Sequence, residues 1–211
     1  MNKKRFIWLI PVLVMALAMS ACKSDDDGKG SGIGDTLSFS DESVYTKTTT
    51  LYSGPDIPFT SNAGGSGLIT GGKMTFSVGI PSSSRLVTLE SVIMDSNSKL
   101  NGGFNFMHRA EYTTDTKTII LDFSSITLNK VYNSETVNET VIYIYVDRDC
   151  IIKISEIPPD NYGGVLVNVS DFTLKLKRGW NPVSRILMFT ATGGTLVIGT
   201  GPSDNCKWIL E

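Results

Sequence analysis

Val141-Ile142-Tyr143-Ile144-Tyr145-Val146-Asp147-Arg148-Asp149-Cys150-Ile151-Ile152-Lys153-Ile154-Ser155 is the stretch on which the fold turns. Two runs of β-branched and aromatic residues flank three polar ones, and such residues favour the pleated strand. Asp147-Arg148-Asp149 reads as a tight turn, because aspartate side chains satisfy backbone donors locally. Side chains alternate across a strand, so Ile142, Ile144 and Val146 share one face and Tyr143 and Tyr145 the other. Two arrangements fit. Either both faces are buried with the hydroxyls at an edge, or the tyrosines belong to an exposed platform of the kind that stacks sugars. A phenol ring suits both, since it offers apolar area with a polar handle.

The same period extends outward along the chain. Phe76, Val78 and Ile80 alternate with Thr75, Ser77 and Gly79. Phe172, Leu174 and Leu176 alternate with Thr173, Lys175 and Lys177, and Val165, Val167 and Val169 repeat the pattern. No stretch of a dozen residues after the N-terminal leader carries an apolar stripe at helical spacing, so little helix is predicted. Thr192-Gly193-Gly194-Thr195 reads as a two-residue hairpin, Gly-Gly supplying the positive φ angles such turns need. Gly102-Gly103, Gly163-Gly164 and Pro158-Pro159-Asp160 mark further breaks, and residues 53–73 read as loop. The expectation is an all-β, single-domain β-sandwich or jelly roll of about 9–12 short antiparallel strands, with a closed β-barrel as the alternative.

The N-terminus reads differently. Lys3, Lys4 and Arg5 precede an apolar run over residues 6–18, then Met19-Ser20-Ala21-Cys22. A basic segment, a short apolar segment and small residues before a cut site form a secretory signal. The run is shorter than the about 20 apolar residues that span a bilayer. Ser20-Ala21-Cys22 resembles the lipobox of bacterial prolipoproteins, with Met19 in place of the more usual leucine. That resemblance implies a signal peptide over 1–21, removed, and a lipid on Cys22. Residues 22–36, with Lys23-Ser24-Asp25-Asp26-Asp27 and a glycine-rich continuation, form a tether with a reach of roughly 20 Å. The acidic triplet resembles the export signal of Bacteroidetes-type surface lipoproteins. It implies the outer membrane of a Gram-negative bacterium, exposed at the cell surface; a periplasm-facing anchor is the alternative. The all-β domain then covers 37–211.

Residues 1–21 hold three of the 19 basic and none of the 21 acidic side chains, which leaves 16 against 21 and a net charge of −5. With no basic cluster to neutralise phosphates, nucleic acid is not an expected partner. Cys150 and Cys206 remain after Cys22 and are candidates for a disulfide in a compartment where disulfides persist. Closing so long a loop would stabilise the fold by about 4 kcal/mol on the chain-entropy estimate. The other reading makes Cys150, on the apolar face of its strand, a buried thiol.

Catalytic and cofactor motifs are weak. Gly67-Leu68-Ile69-Thr70-Gly71-Gly72-Lys73-Met74 has phosphate-loop spacing, but Met74 stands where a hydroxyl should reach the metal and a strand follows instead of a helix, which excludes nucleotide. His108 is the one histidine and has no nucleophile motif beside it. Asp147, Asp149, Asp160 and Asp171 lack calcium-loop spacing. No cofactor and no metal are expected.

Tyr143-Ile144-Tyr145-Val146-Asp147-Arg148-Asp149 and Leu174-Lys175-Leu176-Lys177-Arg178-Gly179-Trp180-Asn181 resemble a motif pair of uncharacterised bacterial lipoproteins. The resemblance implies a strand-turn-strand unit and no activity. The functional expectation is a non-enzymatic surface binding module, held to the membrane by lipid on Cys22, with glycan as ligand and Tyr143, Tyr145 and Trp180 as candidate contacts. The alternatives are an assembly subunit that binds a protein partner, and a hydrolase whose acidic pair assembles in space.

Overall fold

Alternating burial runs along strand after strand of the computed structural model, which describes residues 33–46, 50–106, 109–201 and 205–211. Cys22, the signal segment, most of the tether and His108 lie outside the described residues. Among the described residues the strands are β1 (Leu37–Tyr45), β2 (Ile57–Thr60), β3 (Ser66–Thr70), β4 (Lys73–Val78), β5 (Val87–Thr88), β6 (Ala110–Tyr112), β7 (Lys117–Ile120) and β8 (Leu128–Asn133). They continue as β9 (Val137–Val146), β10 (Cys150–Ile154), β11 (Asp160–Tyr162), β12 (Val165–Val169), β13 (Phe172–Leu176), β14 (Gly179–Thr190), β15 (Gly193–Thr200) and β16 (Lys207–Leu210). One short helix, α1 (Leu89–Met94), is capped where the Thr88 hydroxyl accepts the Ser91 N–H, and it buries Leu89, Val92 and Ile93 at helical spacing.

The fold is all-β, as the alternation predicts. A large mixed sheet runs β11-β12-β15-β14-β9-β8-β16-β1-β4-β3-β2, with β7 also on β9, and a second sheet runs β13-β10-β6. The large sheet curls but does not close into a barrel. Its far end is stapled back by a bridge between Ser61 and Phe123 and by Asn62, whose Nδ2 donates to Ile120 O at 2.8 Å. Not every pairing is antiparallel: β1 runs parallel to β16 and β12 parallel to β15.

Strand β9 is buried on both faces. Ile142, Ile144 and Val146 enter a core completed by the second sheet through Cys150, Ile152, Ile154 and Leu174. Val141, Tyr143 and Tyr145 enter another, closed by the curl of β1 to β4 through Phe39, Met74 and Phe76. The Asp147-Arg148-Asp149 turn is therefore a corner. Strand β10 leaves the large sheet and pairs with β13 and β6, lying over the face of the strand that precedes it. The segment between β13 and β14 is a second corner back again, and the two are tied together. The Asp149 carboxylate accepts the Arg178 N–H at 2.8 Å and the Lys177 Nζ at 2.9 Å, which holds its carboxyl below the usual range. Asn181 Oδ1 accepts the Lys177 N–H, and its amide donates back to the carbonyls of Lys177 and Gly179. Gly179 sits at φ +103° with the Gly34 carbonyl where a Cβ would be, so only glycine fits the close approach.

Three local expectations change. Residues 53–73 carry β2 and β3, and the phosphate-loop lookalike is the β3-β4 hairpin, with Gly71 and Gly72 at φ +55° and +75°. Thr190 pairs with Gly193, so the β14-β15 turn is Ala191-Thr192, two positions before the expected Gly193-Gly194. Gly193 and Gly194 are strand residues whose missing side chains let β12 approach in parallel: a Cβ on Gly194 would meet Val167 at 2.9 Å.

Candidate binding cleft at the fork of the sheet

The aromatic residues expected to form a platform are core. Tyr143, Tyr145 and Trp180 are 5 %, 3 % and 0 % exposed, and Trp180 Nε1 donates to Gly79 O at 3.1 Å. Tyr143 stacks edge-on against Phe39 and Tyr145 against Trp180, with centroids 5.1 and 5.6 Å apart. Burial, with help from Glu42 and Cys206, pushes the Tyr143 hydroxyl above its ordinary value. No exposed platform forms at these residues because both faces of β9 are covered, although Tyr143 also borders the cleft described next. The disulfide is corrected too. Cys150 lies in the core between the sheets and Cys206 in the aromatic one, each buried, and the two are not joined. The carboxylates of Asp147, Asp149, Asp160 and Asp171 each engage a different backbone N–H. Among the described residues no three metal-ligating side chains come together.

The surface opens where the sheet divides. Strand β9 carries β8 beside Asn138–Val141 and β7 beside Ile144–Val146, and between the two partners lies a cleft of about 480 Å³. Its polar lining includes Asn97, Asn129, Asn133 and Asn138, and the ring of Tyr162 stands at its side. Tyr162 is 38 % exposed and stacks on Phe104 at 5.3 Å. One wall is the loop after α1. Asn101, fully buried, pins it by donating to Ile93 O and Asp95 O, and Lys99 Nζ reaches Asp122 at 2.7 Å. Glu211 is the one carboxylate lining the cleft among the described residues.

Arg185 is the unusual member. It lies on β14 opposite Thr140, in the row between Val183 and Leu187, which both enter the core between the sheets. Its guanidinium packs on Gly102, at φ +57°, where any side chain would occupy the same space. Among the described residues the one hydrogen bond it makes is to Lys99 O at 3.5 Å, and no carboxylate is within ion-pair distance. Burial works against its charge, yet an arginine stays protonated in proteins. At the back of the cleft the indole N–H of Trp208, 2 % exposed, has no hydrogen-bond partner among the described residues, and Lys130 Nζ lies 5.9 Å from the ring. A buried donor left unpaired costs about 1–3 kcal/mol.

No family model, curated protein or solved structure matches this chain. The cleft's chemistry therefore stands on its own residues: amide donors and acceptors, one exposed ring and a poorly partnered guanidinium. Nothing in the sequence pattern brings these segments together. The one local signal is Arg185 itself, a cation in an apolar row.

Proposed function

We propose that the protein is a lipid-anchored, non-enzymatic binding module on the outer face of a Gram-negative outer membrane, taking glycan in the cleft at the fork of the sheet. The observation that carries this reading is the cleft: amide side chains that pair with hydroxyl groups, beside an exposed tyrosine ring on which a sugar face can rest. The anchor rests on Ser20-Ala21-Cys22. The geometry of attachment supports it. The chain reaches the domain at Gly34, which bridges Trp180 at the Val146 end of β9. The cleft borders that strand from Asn138 to Tyr143, roughly 7–23 Å from the entry point at strand rise, so the entry point and the cleft fall at different places along β9. Tethering raises the effective concentration of the module near whatever the surface captures.

The test uses cells that express the full chain, probed with fluorescent polysaccharides, with Cys22→Ala, Tyr162→Ala and Asn138→Ala variants alongside. The reading expects polysaccharide to be retained on intact cells, Cys22→Ala to move the protein out of the membrane fraction, and either cleft substitution to abolish retention at unchanged surface abundance. No retained polysaccharide, or retention that ignores both cleft substitutions, contradicts it.

A further inference from the structure

The Arg185 guanidinium has the features of a ligand anchor rather than of a structural ion. Three other arginines pair with a carboxylate, Arg109 with Glu156, Arg148 with Asp147 and Arg178 with Asp35, while the exposed Arg85 donates to the Asn62 carbonyl. Arg185 has been placed in an apolar row, cradled by a glycine that cannot be replaced without displacing it, and given a single long bond to a carbonyl. The carboxylate nearest in sequence on β9, Glu139, pairs across to Ile186 and accepts from Ser184 at 2.9 Å, on the opposite face. With Lys99 already paired to Asp122, the charges left at the cleft are Lys130 and Arg185 against Glu211. A planar guanidinium fixed at its back presents its remaining N–H groups in a fork that matches a carboxylate or sulfate.

We infer that the ligand of the cleft is an acidic polysaccharide, whose carboxylate or sulfate group seats on Arg185. The inference rests on the reading of the cleft as a glycan site and narrows it from any glycan to an anionic one. Tyr162 and the asparagines favour saccharide over an acidic peptide, because they offer a ring and hydroxyl partners that a peptide of carboxylates does not require.

The experiment measures retention of polygalacturonate, chondroitin sulfate, dextran and poly-glutamate by the full chain in its membrane-anchored form. Free galacturonate and galactose, which differ at the carboxylate, serve as competitors on the unaltered protein. Expected are retention of polygalacturonate or chondroitin sulfate with dextran weaker by about tenfold or more, weakening at high salt, and competition by galacturonate but not galactose. Retention of polygalacturonate, which carries carboxylates and no sulfate, shows that a carboxylate suffices. Arg185→Lys, which keeps the charge and loses the fork, is expected to weaken retention about tenfold. Dextran retained as tightly, or galactose competing equally, overturns the anionic ligand and leaves the glycan cleft standing. Retention of poly-glutamate alone, or of no polymer, overturns both.

Discussion

The two faces of β9 look alike in a period-two reading and are built differently. On the even face the partners are mostly aliphatic, with three phenylalanines in that core; on the odd face eight aromatic rings meet, from Phe39 to Trp208. The aliphatic core lies between two stacked sheets, where flat layers interdigitate. The aromatic core lies inside the curl of one sheet, where a few large edge-to-face rings fill a rounder space. A tyrosine-rich strand face therefore marks the inside of a curl here, and the rings that look like a platform are what the curl closes on.

The comparison breaks most visibly at Trp180. Trp180→Ala removes a fully buried ring and its bond to Gly79, and is expected to destabilise the full chain by about 3–5 kcal/mol, read as a fall in the urea midpoint at unchanged slope. A loss under about 1 kcal/mol would mean that the rings do not hold the curl.

A pH titration separates the two cores. Burial first, then Asp147 and Asp149, raise the Cys150 thiol from 9.0 to about 11. Between those values the unfolded chain has lost a proton that the native chain keeps, so stability is complete below pH 9 and falls as pH rises, by at most about 1.4 kcal/mol per unit. Cys150→Ala is expected to flatten that window. Tyr143, also raised from 10.0 by burial, adds its own loss above pH 10, which Tyr143→Phe removes. Urea melts at pH 8, 9, 10 and 11 read both effects.

A smaller change tests packing between the sheets. Ile152 is fully buried opposite the even face of β9, and Ile152→Val is expected to lower stability by about 0.5–1.5 kcal/mol. Its outward neighbour Lys153, paired with Glu111 in solvent, gives the lower bound: Lys153→Ala is expected within about 0.5 kcal/mol of no change. Equal losses at the two positions would deny that β10 has an inside and an outside.

The all-β class was legible because alternation depends only on neighbours in sequence, and Phe76, Val78, Leu174 and Leu176 are buried where it put them. The partner of a strand is not local. Asp147-Arg148-Asp149 has turn chemistry whether the next strand pairs beside β9 or crosses over it, and only the face-to-face contact of Ile152 with the even face makes it a corner. The Gly193-Gly194 pair was misplaced for a like reason, since its glycines answer to β12, a strand some 25 residues earlier. The cleft was less visible still. Asn97, Lys130, Tyr162 and Arg185 come from four separate segments, and no motif spacing joins them.

Oxidative footprinting of the tyrosine and tryptophan side chains, read by mass spectrometry on the native full chain, tests whether the rings of β9 and Trp180 are core while Tyr162, at the fork, is accessible. Tyr162 is expected to be oxidised many times faster than Tyr143, Tyr145 or Trp180 until the chain is unfolded. Oxidation of Tyr143 or Trp180 at the rate of Tyr162 in the native protein would contradict that burial.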